Sequence, residues 1–349
     1  MKLSLSIGAA FRSIIYLSLL LLAASHVASG QELRFAELGD FKLESGSIIR
    51  ECRIGYRTFG NLAGDKSNVI VFTTWASGTT EQAKSIIGSG NLIDSDKYFV
   101  VAIDALGNGV SSSPSNSRQQ PRMTFPRFTL RDTVNTQHEL LVKVLHINYV
   151  KAVMGISMGG MQTFQWMVSF PNFMDQAIPI VGSPRLAPYD LVLWQAQIDA
   201  IMNDRGWNDG NYSINPARAA EFEFGALLLT SPGNYNKQMT RQKVFDELEK
   251  ARRTPGFDAN DKIRQAQAMM ALNVYEPFGG SMARAAATVK AKVFVIVARF
   301  DHVVTPGPAL EFAPLIKAKV LELESDCGHL ATTCESQKIA AAVKEFLSQ

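Results

Sequence analysis

Gly155-Ile156-Ser157-Met158-Gly159 carries the chain's sharpest chemical signal. A serine with a glycine two positions away on each side suits a tight turn, because a Cβ at either flank would crowd the bend. The apolar run 150–154 precedes it directly, and the helix-like stretch 160–170 follows. Strand, turn and helix in that order leave the serine hydroxyl exposed above a sheet, with the helix N-terminus favouring negative charge beside it. A hydroxyl is a poor nucleophile until a base takes its proton. Beyond residue 30 the chain holds four histidines: His138, His146, His302 and His329. His138 and His146 fall in a helix-like stretch before the elbow and read as helix residues. His302 reads as a loop residue. His329 follows the strand-like run 318–323, in the loop after Ser325-Asp326-Cys327-Gly328. That is the carboxyl edge of a buried strand, where open sheets place their sites, so His329 is the candidate base.

A base needs an acid to fix its tautomer and to stabilise the imidazolium. Asp301 lies just past the strand-like run 292–298, one strand before His329, and is the candidate. Asp326 sits only three positions from His329 on the same loop, a poor place from which to orient it. Asp104 ends the run 98–103 and reads as a structural loop residue. The order nucleophile, acid, base along the chain is therefore Ser157, Asp301, His329. Such a site also needs two backbone N–H groups for the developing oxyanion. Position in the fold assigns one to Met158, directly after the nucleophile. It assigns the other to Ala76, with Trp75 as the neighbouring choice, in the loop Thr74-Trp75-Ala76-Ser77-Gly78.

These residues need a sheet to hold them. Short apolar runs at 68–73, 98–103, 150–154, 176–181, 292–298 and 318–323 are mostly continuous rather than alternating, as in parallel strands buried on both faces. Helix-like segments lie between several of them, and Asp132 is expected to cap one running to about residue 146. The βα alternation predicts an open, doubly wound α/β sheet. From 184 to 280 the strand pattern stops. Helical stretches at 191–202, 216–229 and 239–251 are separated by turns rich in Asn, Gly and Pro. The division expected is a core of 31–183 and 281–349 with a helical lid, 184–280, inserted over the sheet's carboxyl edge.

Residues 1–30 read as an export signal. Lys2 and Arg12 precede or enter an apolar run over 14–24, and Ala28-Ser29-Gly30 offers small residues for cleavage. The run falls short of the ~20 residues a membrane span needs, and no other stretch approaches it. A secreted or periplasmic location is expected. Removing 1–30 takes away two basic residues and no acidic one, leaving 33 basic against 32 acidic side chains. No basic stripe with interleaved aromatics remains, and no nucleic-acid partner is expected. Export permits disulfides, and Cys327 and Cys334 flank His329, where a bridge would brace its loop; counting alone does not fix the pairing. No histidine and cysteine spacing suggests a metal site, and no cofactor is expected.

The chain resembles the homoserine O-acetyltransferase family of α/β hydrolases. The likeness covers most of the chain beyond residue 30. It is carried by Gly155-Ile156-Ser157-Met158-Gly159-Gly160-Met161-Gln162, by Phe125-Pro126 through Leu130-Arg131-Asp132, and by Ser183-Pro184-Arg185-Leu186. Ile103-Asp104-Ala105-Leu106-Gly107 and Tyr56-Arg57-Thr58-Phe59-Gly60 match as well. The resemblance implies an α/β-hydrolase fold, puts Ser157, Asp301 and His329 at the triad positions, and suggests a dimer through the lid. The family carries an acetyl group from acetyl-CoA to homoserine. It has Asp directly after the catalytic histidine, and an Arg and a Tyr in the lid. Here those positions are Leu330, Phe224 and Ser231. An amino acid carries a charge at each end, and buried charges need partners. The expectation is therefore a small-molecule acyl substrate, with water as acceptor: a serine hydrolase acting on an ester, or secondarily an amide. A CoA-dependent acyltransferase and a non-catalytic binding protein on the same fold remain the alternatives.

Overall fold

The computed structural model describes residues 31–216, 218–253 and 256–349; the expected signal segment lies outside them. Its strands are β1 (Arg34–Lys42), β2 (Ile48–Phe59), β3 (Val69–Thr73), β4 (Phe99–Ile103), β5 (Val150–Ile156), β6 (Met174–Ile180), β7 (Lys292–Ala298) and β8 (Lys319–Leu323). They form one eight-stranded sheet in the order β1-β2-β4-β3-β5-β6-β7-β8. The six strands from β3 to β8 run parallel, and β1 and β2 add an antiparallel edge. The six parallel strands are the runs expected from sequence, with ends displaced by two residues at most. In β3, Val69 and Val71 face one apolar cluster while Ile70 and Phe72 face the other. β7 alternates in the same way, so both strands are buried on both faces and read as unbroken apolar runs.

β1 and β2 were not legible as strands. At the sheet's edge they carry Arg34, Glu37, Asp40, Arg50, Glu51 and Arg53, mostly facing water, and their apolar residues are scattered. The helices are α1 (Thr80–Ala83), α2 (Leu130–Glu139), α3 (Met158–Ser169), α4 (Pro188–Met202), α5 (Arg218–Leu228), α6 (Pro232–Gln238), α7 (Arg241–Arg253), α8 (Ala259–Met270), α9 (Met282–Thr288), α10 (Gly307–Phe312), α11 (Ala331–Cys334) and α12 (Ser336–Leu347). Six of them, α4 to α9, separate β6 from β7. At α2 the N-cap is Thr129 rather than Asp132. The Thr129 hydroxyl accepts the Asp132 N–H, and the Asp132 carboxylate accepts the Thr129 N–H, so Asp132 is the far partner of a capping box. The α-helix ends at Glu139 and continues as a π-helical turn over Leu140–Val144.

Candidate active site

Ser157 sits between the last residue of β5 and the first of α3, with φ 59° and ψ −121°. A non-glycine residue rarely adopts that conformation, and it persists only where its surroundings enforce it. The enforcement comes from both neighbouring strands. Ser157 N–H donates to Ile180 C=O of β6 (2.9 Å), and Thr73 Oγ1 of β3 donates to Gly159 C=O (2.9 Å). A Cβ on Gly155 would overlap Thr73 and the Gly159 backbone, and one on Gly159 would overlap the Thr73 carbonyl. The glycines are therefore needed because β3 crosses the elbow at backbone contact.

The structure brings the three sequence candidates together. With its proton on Nδ1, His329 donates to Asp301 Oδ2 across 2.6 Å, and its Nε2 accepts the Ser157 hydroxyl across 2.8 Å. All three are buried, at 8%, 5% and 8% exposure for Ser157, Asp301 and His329. The second carboxylate oxygen of Asp301 accepts the N–H groups of Val303 (2.8 Å) and Val304 (2.9 Å). Those bonds fix which oxygen faces the imidazole. His329 is fixed in turn by its loop. Gly328 takes φ 63° against the backbone of Thr230, Leu229 and Phe300, and Leu330 N–H donates to Leu229 C=O (3.0 Å). Cys327 and Cys334 form a disulfide that closes the same loop.

The Met158 N–H lies in the first turn of α3, where helix geometry supplies no acceptor. Trp75 and Ala76 both line the same cavity as Ser157. Ser77 N–H, by contrast, is engaged by Gln265 Oε1 (2.7 Å). A buried amide chain ties this loop to the elbow. Gln162 Nε2 donates to Thr74 C=O (2.9 Å), Gln137 Nε2 donates to Gln162 Oε1 (2.6 Å), and Trp166 Nε1 donates to Gln137 Oε1 (2.9 Å). Sequence reasoning quoted Gln162 within a motif without giving it a role. No pattern in one sequence shows that its amide reaches β3's loop.

Ser157 and His329 open on a cavity of about 590 Å³. Its walls come from both sides of the sheet: Ile86, Leu92 and Ile339 belong to one apolar cluster, Trp194, Leu228 and Met269 to the other. The cavity thus straddles the sheet's carboxyl edge. Among the described lining residues there is no carboxylate, and Lys262 is the basic side chain.

The model of the alpha/beta hydrolase fold matches residues 69–332, from β3 through the histidine loop. The chain belongs to the α/β-hydrolase family. Among its relatives is an ethyl acetate hydrolase of Pseudomonas veronii, 31% identical over 306 residues, or 84% of this chain and 88% of the relative. A homoserine O-acetyltransferase of Pelobacter propionicus is 30% identical over 349 residues, covering 88% of this chain and 93% of its own length. The solved structure of an acetylester hydrolase from Corynebacterium glutamicum superposes with a TM-score of 0.85 at 28% identity, covering 91% of this chain and 96% of that one. The chain is a homoserine O-acetyltransferase-like enzyme of the α/β-hydrolase fold.

The rival candidates in this α/β hydrolase have other employment. Asp326 pairs with Lys237 Nζ (2.7 Å) at the surface. Asp104 accepts both the N–H and the hydroxyl of Thr80 and the Asn108 amide, pinning the turn before α1; burial pushes its carboxyl above the usual range. His138 stacks on Phe170 at 3.9 Å between ring centres, and burial holds its pKa below the ordinary value. His146 and His302 are exposed. Leu330 and Phe224 line the cavity, whereas Ser231 spends its hydroxyl capping α6.

Proposed function

We propose that this protein is an exported serine esterase. The observation that carries the reading is the unbroken hydrogen-bonded chain from Asp301 through His329 to Ser157 on the wall of an apolar cavity. Ser157 Oγ attacks the ester carbonyl carbon while His329 Nε2 takes its proton. The carbonyl oxygen becomes an oxyanion facing the N–H groups of Ala76 and Met158. Collapse breaks the bond to the alcohol oxygen, which receives the proton from His329, and leaves the acyl group on Ser157. Water, deprotonated by His329, then attacks that acyl carbon; the bond to Ser157 Oγ breaks, Oγ takes the proton back from His329, and the acid leaves. Asp301 stabilises the imidazolium in both halves.

Water is favoured over homoserine as acceptor by the walls. Leu330 replaces the acid beside the histidine, and no described lining carboxylate would meet an ammonium group, which costs several kcal/mol to bury unpaired. Export is supported by the charge and hydropathy pattern of residues 1–30, and the Cys327–Cys334 bridge suits an oxidising compartment. The segment between β6 and β7 acts as the lid, and it also exposes large apolar side chains, with Val192 and Leu227 above 70% accessible and Phe245 at 54%. Those exposed side chains support a homodimer through the lid.

The test uses purified protein lacking residues 1–30, short-chain p-nitrophenyl esters, and Ser157→Ala alongside. Turnover is expected without acetyl-CoA and is expected to fall about 10⁴-fold or more in the variant, with the fold retained by circular dichroism. Acyl transfer to an added alcohol that strictly requires acetyl-CoA would replace the esterase with a transferase.

A further inference from the structure

Two glutamines line the cavity, and they differ in one respect. Gln265 is committed at both ends: its Oε1 accepts Ser77 N–H (2.7 Å) and its Nε2 donates to Leu106 C=O (3.1 Å). Gln197 lies on α4 and is 8% exposed. No hydrogen bond to its side-chain amide occurs among the described residues, yet neither of its polar atoms is sealed from solvent. A nine-tenths buried amide with accessible polar atoms and no partner, on the wall of a cavity, has its hydrogen-bonding capacity turned toward whatever fills that cavity. Buried polar groups in folded proteins are paired in the great majority of cases; the Gln197 amide, open to the cavity, pairs with cavity water until a ligand that can replace those bonds displaces it.

The helix that carries Gln197 is registered against the triad. Two turns earlier Asp190 accepts the N–H (3.3 Å) and the hydroxyl (3.1 Å) of Thr305, in the loop that begins at Asp301. Between them Trp194 lines the cavity, one turn before Gln197 on the same face. The remaining wall is mostly apolar, and the volume of about 590 Å³ far exceeds what a two-carbon acyl group with a short alcohol fills.

We propose that Gln197 is a specificity-determining residue, and that the substrates are uncharged esters with a second neutral oxygen function, a hydroxyl or ketone, several carbons from the scissile carbonyl. The assignment rests on the esterase reading of the site. A primary amide offers two donors and an acceptor, which match a hydroxyl or a ketone without introducing charge. The scissile carbonyl is already served by Ala76 and Met158, so the oxygen that meets Gln197 is a different one.

The test compares hexyl acetate, 6-hydroxyhexyl acetate and 5-oxohexyl acetate on the wild type and on Gln197→Met, which keeps the length of the side chain and removes its polarity. The wild type is expected to favour an oxygenated ester over hexyl acetate by roughly three- to tenfold in kcat/KM, and the variant to lose that ratio. The same three compounds are titrated calorimetrically into Ser157→Ala and into Ser157→Ala with Gln197→Met, where no turnover is needed. Discrimination in binding that disappears with Gln197, in a protein that hydrolyses none of the esters, would sink the esterase and keep the role of Gln197. Equal ratios with and without the glutamine amide, in turnover and in binding, would overturn the proposal while leaving the esterase intact.

Discussion

His329 is gripped at both ring nitrogens, and Asp301 supplies the grip that sets its tautomer. Asp301→Asn keeps the shape and the Val303 and Val304 contacts, but its amide presents a donor to Nδ1 and so favours the tautomer with the proton on the wrong nitrogen. Esterase turnover is expected to fall about 10³- to 10⁴-fold at neutral pH, with near-normal KM, in steady-state kinetics. A loss below tenfold would remove Asp301 from the mechanism. Ser157, Asp301 and His329 were legible in the sequence because each follows a strand, and strand ends in a parallel sheet converge on one edge; the strand before His329, read as buried, is instead the exposed outer strand β8, with only Leu323 fully buried. Gln162 and Gln197 were not. A glutamine in a helix looks the same whether its amide meets water, a carbonyl or a ligand, and only the third dimension separates these cases.

At the scale of elements, the inner parallel strands declared themselves through largely apolar runs, and the outer β8, with Lys319 and Glu322, did so more weakly, while the wet edge strands β1 and β2 did not. Asp132 shows a finer limit: Thr129 and Asp132 are both cap-forming types, and the box uses the two together. α8 also escaped notice, and it is anchored by a buried acid. Asp261 accepts the Ser115 N–H (2.9 Å) and the Ser115 hydroxyl (2.5 Å), and burial, with the charge of Asp258 beside it, raises its pKa to about 7. A carboxyl that holds its proton more tightly when folded favours the folded state at low pH. That contribution is complete below about pH 4 and is lost as pH rises through 7. Asp261→Asn mimics the neutral form, so its stability relative to wild type is expected to improve by a few kcal/mol between pH 4.5 and pH 8. Urea unfolding at the two pH values measures this; parallel behaviour of the two proteins would show that Asp261 titrates normally.

For the molecule as a whole, the exposed Val192, Leu227 and Phe245 on α4, α5 and α7 are what a lone chain explains least. If they lie together they form the kind of apolar patch that marks an interaction surface. Sedimentation velocity is expected to give twice the chain mass, and Val192→Glu with Leu227→Glu to give one. A monomeric wild type at micromolar concentration would remove the lid face as an interface. The resemblance to homoserine O-acetyltransferases supplied the idea of that dimer, and nothing in hydropathy alone would have done so.

The order of the triad along the chain has a further consequence for how the protein is made. His329 lies 172 positions after Ser157, just past β8. A ribosome therefore finishes the elbow, the oxyanion loop and the strand that presents Asp301 well before it supplies the base. Through that interval the nascent chain holds a serine with nothing to deprotonate it. On the proposed mechanism the triad is complete only once β8 and the bridged histidine loop have joined the sheet, so the order of the chain leaves Ser157 without its base until the fold closes.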